Sequence, residues 1–362
     1  MKKLWKWLTP FAPDQSGAVS VLYELGGIIV ICDAGGCAGN ICGFDEPRWF
    51  LKKSAIFSAG LRDMDAILGR DDRLVAKLCD AAGKMDAAFA AIIGTPVPAV
   101  IATDYRALTN LAGRKSGLNI LGIETNGMEY YDAGAEKAYL ALLKRFCDAN
   151  GAEHEDACSA AGEKKKGKIG VWGMTPLDFS DLAAGEKMVS ALKEAGWEEV
   201  NCYGMGAGLK ELAAAGENEK NLVVAPSGLK AAKLLKERFG TPYEIYDPLA
   251  EALLPEGEES FAGKKILVLH QAVRADSIRK SLLARGAGKV DCASFFLMPP
   301  EKRQAGDILL KSEDDLLEAV KTGDYDIIIA DRVLKDLLWD YGGEWIDMKH
   351  FALSGRLEND ES

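Results

Sequence analysis

The chain has 362 residues, and its 55 acidic side chains outnumber its 44 basic ones, giving a formal net charge of −11 at pH 7. Proteins that bind nucleic acid or dock on anionic lipid need a basic face, so this charge balance argues against both classes. No run approaches the roughly 20 apolar residues of a bilayer-spanning helix, and the basic N-terminus lacks the apolar core of a signal peptide, so we expect a cytoplasmic protein.

Apolar runs of strand length alternate with helical patterns from the start of the chain. Strands are predicted at residues 26–34, 87–97 and 118–124, and helices at residues 64–82 and 134–149. The strands are apolar throughout, which is typical of a parallel sheet covered by helices on both faces.

The same alternation restarts twice further along the chain. The later predicted strands are residues 168–174, 198–204, 220–227, 242–248, 265–270, 289–297 and 325–331. The later predicted helices are residues 182–196, 207–216, 228–240, 272–286, 312–323 and 332–343. Gly240 is expected just past the end of its helix, where glycine adopts the left-handed conformation.

Two polar segments, at residues 151–167 and 253–265, are typical of linkers. We therefore predict an α/β protein of three consecutive Rossmann-like, doubly wound domains with parallel sheets, each near the usual domain size. The predicted domains are residues 1–160, 161–258 and 259–362.

Three of the eight cysteines lie in one stretch, "VICDAGGCAGNICGFDEPRW" (residues 30–49), directly after the first predicted strand. The eight are Cys32, Cys37, Cys42, Cys79, Cys147, Cys158, Cys202 and Cys292. In a large cytoplasmic α/β chain, free thiols or metal ligands are favoured over disulfides. No role is given to Cys79, Cys147, Cys202 or Cys292, because isolated cysteines are usually small buried hydrophobes.

The glycine-rich bend lies where open parallel sheets build their sites, at the carboxyl edge of a strand. Gly35 and Gly36 allow the backbone to come close to a ligand, and nearby amide groups favour a thiolate. If a helix begins near Cys37, then Cys37 and Cys42 differ in direction by about 140°, so Cys32 and Cys37 form the preferred pair.

Two interpretations of the bend stay open from the residues alone. In one, it presents two or three thiolates to a metal centre. An iron–sulfur cluster takes about four protein ligands, so the others must come from elsewhere in the chain or from a second chain. In the other, small buried cysteines lie beside a tight turn.

Ordered motifs across most of the chain resemble those of the nitrogenase component 1 family, which includes nitrogenase molybdenum–iron protein subunits, their cofactor-assembly scaffolds and dark-operative protochlorophyllide reductase subunits. "CDAGGCAGN" is similar to the family's "H-G-x-x-G-C" loop. The segments that resemble further motifs are residues 58–74, 90–108, 172–181 and 221–243. The resemblance implies three Rossmann-like domains, the architecture of that family.

The resemblance also implies a function. It makes Cys37 the ligand of a 4Fe–4S-type cluster shared between two related subunits. The chain would relay electrons from a separate ATP-dependent iron protein to a small-molecule substrate, in a homodimer or a heterodimer with a paralogous subunit. Cys32, Cys42 and the carboxylate of Asp14 are further candidate ligands.

Departures from the family's motifs narrow this expectation. Thr95 occupies a position where a further cluster cysteine would stand, and Ala225 replaces the cysteine that would hold an iron–molybdenum cofactor. We therefore expect neither dinitrogen reduction nor a molybdenum cofactor. The missing cysteines also leave open a non-catalytic scaffold or carrier for a metallocofactor, and a metal-free ligand-binding protein on the same frame.

Other candidate residues carry weaker arguments. His270 and Arg274 follow a predicted strand and could form an anion or acid–base site, or His270 could cap the next helix. Asp104 could face a cleft or could begin a helix. The "GMGAG" turn (204–208) lacks the full dinucleotide-binding pattern, so a plain strand–helix turn is preferred. No phosphate-binding Walker A motif occurs, so we do not expect this chain to hydrolyse ATP itself.

Overall fold

Three parallel β-sheets follow one another along the chain in a computed structural model, which describes residues 5–68, 71–147, 164–255 and 261–358. The predicted α/β fold class is confirmed. Most of the linker predicted at residues 151–167, including Cys158, lies outside the described residues. So does part of the linker predicted at 253–265. The three predicted domain limits stay predictions.

The first sheet has four strands in the order β2-β1-β3-β4. They are β1 (Ile28–Ile31), β2 (Ala55–Ser58), β3 (Ala90–Ile93) and β4 (Ile120–Ile123). Its helices are α1 (Asp14–Leu22), α2 (Gly36–Asn40), α3 (Asp63–Leu68), α4 (Asp71–Ala82), α5 (Pro96–Val100), α6 (Tyr105–Ser116) and α7 (Tyr131–Phe146). In β1, Ile28 pairs with Ala55 on one side and with Ala90 on the other, so β1 lies inside the sheet.

The second sheet has the same arrangement, in the order β6-β5-β7-β8. Its strands are β5 (Lys165–Trp172), β6 (Glu199–Cys202), β7 (Asn218–Val223) and β8 (Tyr243–Ile245). Its helices are α8 (Pro176–Phe179), α9 (Ala184–Glu194), α10 (Leu209–Ala213) and α11 (Leu229–Phe239). Gly240 has φ of 68° at the end of α11, as its position in the sequence predicts.

The third sheet has five strands in the order β11-β10-β9-β12-β13. They are β9 (Lys265–Leu269), β10 (Lys289–Ser294), β11 (Ile308–Leu309), β12 (Ile327–Ala330) and β13 (Glu344–Asp347). Its helices are α12 (Ala272–Ala284), α13 (Glu313–Gly323) and α14 (Phe351–Ser354). Within the described residues, no helix combines the length and apolar character needed to cross a lipid bilayer.

Three strands were not predicted, and one predicted helix is wrong. The missed strands are edge strands that are exposed or only partly buried: β2, β11 and β13. Residues 332–343 form a single 3₁₀ turn (Arg332–Leu334) instead of a helix. The side chains of Leu334, Leu337 and Leu338 are buried against the third sheet region, whereas Trp339 is exposed. The leucines therefore attach this segment to the core, but they do not form the continuous apolar face of a helix.

Two of the apolar cores contain side chains from more than one sheet region. One core combines side chains of α1 and α7 with Trp172 and Tyr203 of the second sheet region. Another combines Phe11 and Tyr131 with residues of the third sheet region. Helix α7 therefore packs between layers, and its first turn lies close to all three sheet regions.

Helices α1 and α7 cross at two glycines. A Cβ atom built on Gly17 would lie 1.8 Å from the carbonyl oxygen of Tyr131, and one on Gly134 would lie 1.7 Å from the carbonyl oxygen of Asp14. Since real Cβ contacts are never that short, only glycine permits this backbone contact. All nine residues of α1 are buried, so the helix has no free side on which to shift.

We predict that Gly134→Ala destabilises the protein by about 3 kcal/mol or more, because the added methyl group must separate two buried helices. Urea unfolding would measure the change in the free energy of unfolding. Gly342→Ala is the matched control: nothing lies within 4 Å of its Cβ position, so we expect a change within about 0.5 kcal/mol. Equal effects of the two substitutions would contradict this account of the crossing.

Candidate cluster-binding site

The glycine-rich bend is held in shape by one carboxylate. Asp33 follows β1, and its two oxygens accept hydrogen bonds from the Ala38 N–H at 2.8 Å and from the Ser58 hydroxyl at 2.6 Å. Gly35 has φ of 120°, a conformation that side chains disfavour, and it precedes α2 directly. The bend is therefore a hydrogen-bonded turn that connects β1, β2 and the short helix carrying Cys37.

The cysteines of the bend lie in different environments. Cys32 is buried in the core between the sheet and helices α4 and α6, where burial raises the pKa of its thiol to about 12. Cys37 is half-buried in α2 and packs against the core on the α1 and α7 side. The thiols of the predicted pair, Cys32 and Cys37, therefore pack against different cores.

Cys42 lies in a π-helical turn, Ile41–Asp45, that the α-helical argument from the sequence did not anticipate. The Glu46 N–H donates to the Ile41 carbonyl, as a five-residue turn requires. Cys42 is half-buried, and burial followed by the charge of Glu46 raises the pKa of its thiol. Two half-buried thiols, Cys37 and Cys42, thus occupy consecutive short helices.

Thr95 contacts the bend from the end of β3. Its hydroxyl donates to the Cys32 carbonyl oxygen at 2.7 Å. Burial and then the charge of Asp33 raise the pKa of the Cys37 thiol, while a hydrogen bond to the Thr95 side chain lowers it. The sequence identified Thr95 only as a missing cysteine, but the residue also positions the bend.

Asp14 is fully buried at the start of α1. Its carboxylate accepts backbone N–H groups of Asn126 at 2.9 Å and of Gly127 at 2.7 Å. Burial raises the pKa of this carboxyl, and those two hydrogen bonds lower it in part. As a metal ligand, Asp14 would have to give up these hydrogen bonds.

No three His, Cys, Asp or Glu side chains in the described part of the chain are grouped closely enough to hold a metal ion. The bend nonetheless carries two half-buried thiols, those of Cys37 and Cys42. Cys37 and Cys42 supply soft thiolate donors, and a Cβ atom on Gly36, Gly39 or Gly43 would have nothing within 4 Å. The bend therefore fits an iron–sulfur cluster only if further ligands come from outside this group.

An open groove with a cavity volume of about 1140 Å³ lies beside the π-helical turn. The turn, the N-terminal segment and α14 form its walls. Several apolar side chains along it and near it are strongly exposed; those of Phe44, Phe50, Leu51 and Met128 are 73%, 73%, 74% and 68% exposed. Contiguous exposed apolar surface of this kind marks an interaction site.

His270 and Arg274 lie in a separate, buried polar junction. The rings of His270 and His350 stack with 4.1 Å between centroids. The Tyr131 hydroxyl donates to Asp178 at 2.7 Å and contacts the Nε2 atom of His350 at 2.9 Å. The junction thus joins α7 to the second and third sheet regions.

His350 lies among polar neighbours in the sequence, where no local pattern points to a role. Burial lowers the pKa of His350 to about 3 and also lowers that of His270, so both rings are neutral at pH 7. Arg274 is committed to Asp247, to whose carboxylate its Nε atom donates at 2.6 Å. His270, His350 and Arg274 therefore have structural contacts that connect the sheet regions.

The remaining weak candidates have local structural roles. The Asp104 carboxylate accepts the Ala107 N–H at 2.9 Å and caps α6. In the "GMGAG" turn, Gly206 donates its N–H to Glu24, and the Gly204 carbonyl accepts from Arg48. The turn therefore binds side chains of the first sheet region, consistent with the plain strand–helix turn that the sequence favoured.

Comparison with known proteins reveals a family likeness. The sequence profile of the family described as "Nitrogenase component 1 type Oxidoreductase" matches residues 16–252. No protein matches in the comparison with curated proteins. Among solved structures, "Nitrogenase Cp1 at pH 6.5" superimposes with a TM-score of 0.70 at 12% identity, over 96% of this chain and 87% of that chain. "Nitrogenase Cp1 at pH 5" gives a TM-score of 0.71 at 14% identity, over 98% and 86%.

The buried junction predicts a pH effect on stability. Burial raises the pKa of Asp178 to about 7, well above its ordinary value of 3.8. A raised pKa in the folded protein gives stability that is present at low pH and is lost as the pH rises towards 7. Asp178→Asn removes this loss, because the amide resembles the protonated acid.

Between pH 5.5 and 7.5, the free energy of unfolding of Asp178→Asn should rise by about 1–2 kcal/mol relative to the parent protein. Urea unfolding at several pH values would measure the two slopes. His350 has the opposite effect on the free energy of unfolding, because the stability that its neutral form provides is lost as the pH falls below 6.5. This effect is common to both proteins. Parallel slopes would contradict the position of Asp178 in the junction.

Proposed function

Because the chain belongs to the nitrogenase component 1 type oxidoreductase family, we propose that it is a subunit of a nitrogenase-like reductase that holds a 4Fe–4S-type cluster where two subunits meet. The observation that carries this proposal is the bend after β1. There, the half-buried thiols of Cys37 and Cys42 lie in consecutive short helices beside an open apolar surface.

The second subunit is a copy of this chain or a paralogous one. One bend offers two half-buried thiols, and a cluster takes about four ligands, so two bends facing each other would complete the set. The exposed side chains of Phe44, Phe50, Leu51 and Met128 would be buried in the same contact. An exposed apolar patch of this kind lowers the solubility of a monomer, and a partner subunit would cover it.

Cys37 is the principal ligand in this proposal, and Cys42 is the second. Cys32 is the weaker candidate, because its thiol would have to leave an apolar core. Asp33 and Thr95 are positioning residues: the first holds the bend through the Ala38 N–H and the Ser58 hydroxyl, and the second through the Cys32 carbonyl.

When bound, the cluster supplies one-electron chemistry at low potential. Cys37 and Cys42 would hold it, and a separate ATP-dependent iron protein would supply the electrons. Contact with the Thr95 side chain lowers the pKa of the Cys37 thiol only in part, against the larger effects of burial and the charge of Asp33. The substrate is a small molecule, and no nucleic acid or membrane takes part.

We propose no molybdenum cofactor for this chain. Ala225 is fully buried after β7, and a Cβ atom built on Gly173 would lie 2.7 Å from its backbone nitrogen and 2.9 Å from its Cβ atom. Alanine offers no ligand atom, and the backbone around it is too closely packed to admit a metallocluster at this position.

We predict that protein purified without oxygen contains iron and sulfide, about four iron atoms per dimer if each dimer holds one cluster. Cys37→Ser should lose at least about four-fifths of this iron, together with the visible absorption of the cluster, because serine is a poor ligand for it. Cys42→Ser should lose a similar amount, and Cys32→Ser should keep most of it. Iron analysis and absorption spectra would measure these outcomes.

Cys79→Ser is the matched control, since Cys79 is a partly buried cysteine on α4, outside the bend. It should retain the iron of the parent protein. Iron-free protein after anaerobic purification and reconstitution, with no spectral change in Cys37→Ser, would overturn the proposal. Loss of iron in Cys32→Ser and Cys37→Ser, with iron retained in Cys42→Ser, would move the ligand set to the pair first favoured by the sequence.

The absence of cysteine at Thr95 and Ala225 favours one alternative, a non-catalytic scaffold or carrier for a metallocofactor. Turnover distinguishes it from a reductase. A reductase supplied with its iron protein, ATP and dithionite should oxidise dithionite and reduce its small-molecule substrate at a rate that depends on Cys37. A scaffold should release its cluster to an acceptor protein under the same conditions without sustained consumption.

A further inference from the structure

A second cavity, of about 440 Å³, lies between the second and third sheet regions. The end of β8 forms one wall, and α12 with the loop after β10 forms the other. The polar side chains that line it are those of Tyr246, Ser277, Lys280, Ser281 and Lys302, together with three carboxylates described below. Its size and its place between two layers are typical of small-molecule sites.

Two lysines in this cavity share one carboxylate oxygen. The ammonium groups of Lys280 and Lys302 lie 3.2 Å and 3.5 Å from the Oδ2 atom of Asp276. The other oxygen of Asp276 is already bound by the guanidinium of Arg279 at 2.5 Å. The Asp276 carboxylate therefore forms ion pairs with three cations.

The other carboxylates at the cavity do not balance this excess, since each pairs with a cation of its own. Glu244 pairs with Lys220, Asp247 pairs with Arg274, and Glu251 pairs with Arg285. Within the described residues, Asp307 is a further carboxylate of this charged group, and it pairs with Arg279. Among the described side chains of this group, three cations face two carboxylates, Asp276 and Asp307, in a chain whose net charge is −11.

We propose that this cavity binds the phosphoryl group, or a similarly compact dianion, of a small molecule between Lys280 and Lys302. Charge-assisted hydrogen bonds from two ammonium groups suit such a group, and the Ser281 hydroxyl adds a neutral donor. The bound anion would remove the repulsion between the two lysines. This inference concerns a different part of the chain from the cysteine bend and does not depend on a cluster.

The electrostatics of Lys302 support the proposal. Burial, followed by the charge of Lys280, lowers the pKa of Lys302. An anion between the two ammonium groups would favour the charged form of both. Binding should therefore be accompanied by proton uptake at pH values where Lys302 is partly neutral.

Isothermal titration calorimetry with inorganic phosphate tests the site, with sodium chloride at matched ionic strength as the reference. We expect saturable binding of phosphate by the full chain and none of chloride. Lys302→Met and Lys280→Met should each weaken phosphate binding at least tenfold, whereas Lys302→Arg should weaken it much less. Lys335→Met, which changes an exposed lysine of the third sheet region, should bind as the parent protein does.

Phosphate binding that survives in both methionine variants would overturn the proposal, as would equal heats for phosphate and chloride. Folding of each variant is checked by its thermal unfolding transition. If the methionine variants unfold, the test uses the parent protein alone. Phosphate must then raise the thermal transition temperature of the parent protein more than chloride does. Failure of this test leaves the iron content of the protein, and thus the proposed function, unaffected.

Discussion

The close crossing of α1 and α7 is the constraint on which the rest of the structure depends. Backbone touches backbone at Gly17 and Gly134, so neither helix can slide. This contact fixes Asp14 under the loop at Asn126 and Gly127, and it fixes Tyr131 at the junction of the sheets. Both the bend near the first sheet and the buried histidines thus take their positions from one pair of glycines.

The cysteine bend is a rigid turn on a fixed support. Asp33 ties it to β2, Thr95 ties it to β3, and the Ser16 hydroxyl on α1 donates to Asp45 in the π-helical turn. The thiols that remain partly accessible are held by short helices whose ends are bonded to the sheet or to α1. A site built in this way can keep its geometry while its outer side is left for another subunit.

Much of the fold could be predicted from the sequence, because fully apolar strands and helical periodicity are strong local signals. Three edge strands, β2, β11 and β13, were missed because their exposed or partly buried residues carry no such signal. The bend itself was located correctly, yet its internal geometry depends on Asp33, Ser58 and Thr95. These residues are distant in sequence and meet only through strand register. His350 was overlooked for the same reason: its burial comes from contacts with Tyr131 and His270, to which no local pattern points.

The shared cores give the molecule a mechanical character that a row of separate Rossmann units would lack. Trp172 and Tyr203 of the second region pack in the same interior as the helices of the first, and Phe11 of the N-terminal segment packs against the third. No layer can tilt without disturbing the interior of its neighbour. A displacement at the exposed face by Phe44 would therefore also disturb the packing of the neighbouring regions, because close-packed interiors transmit strain.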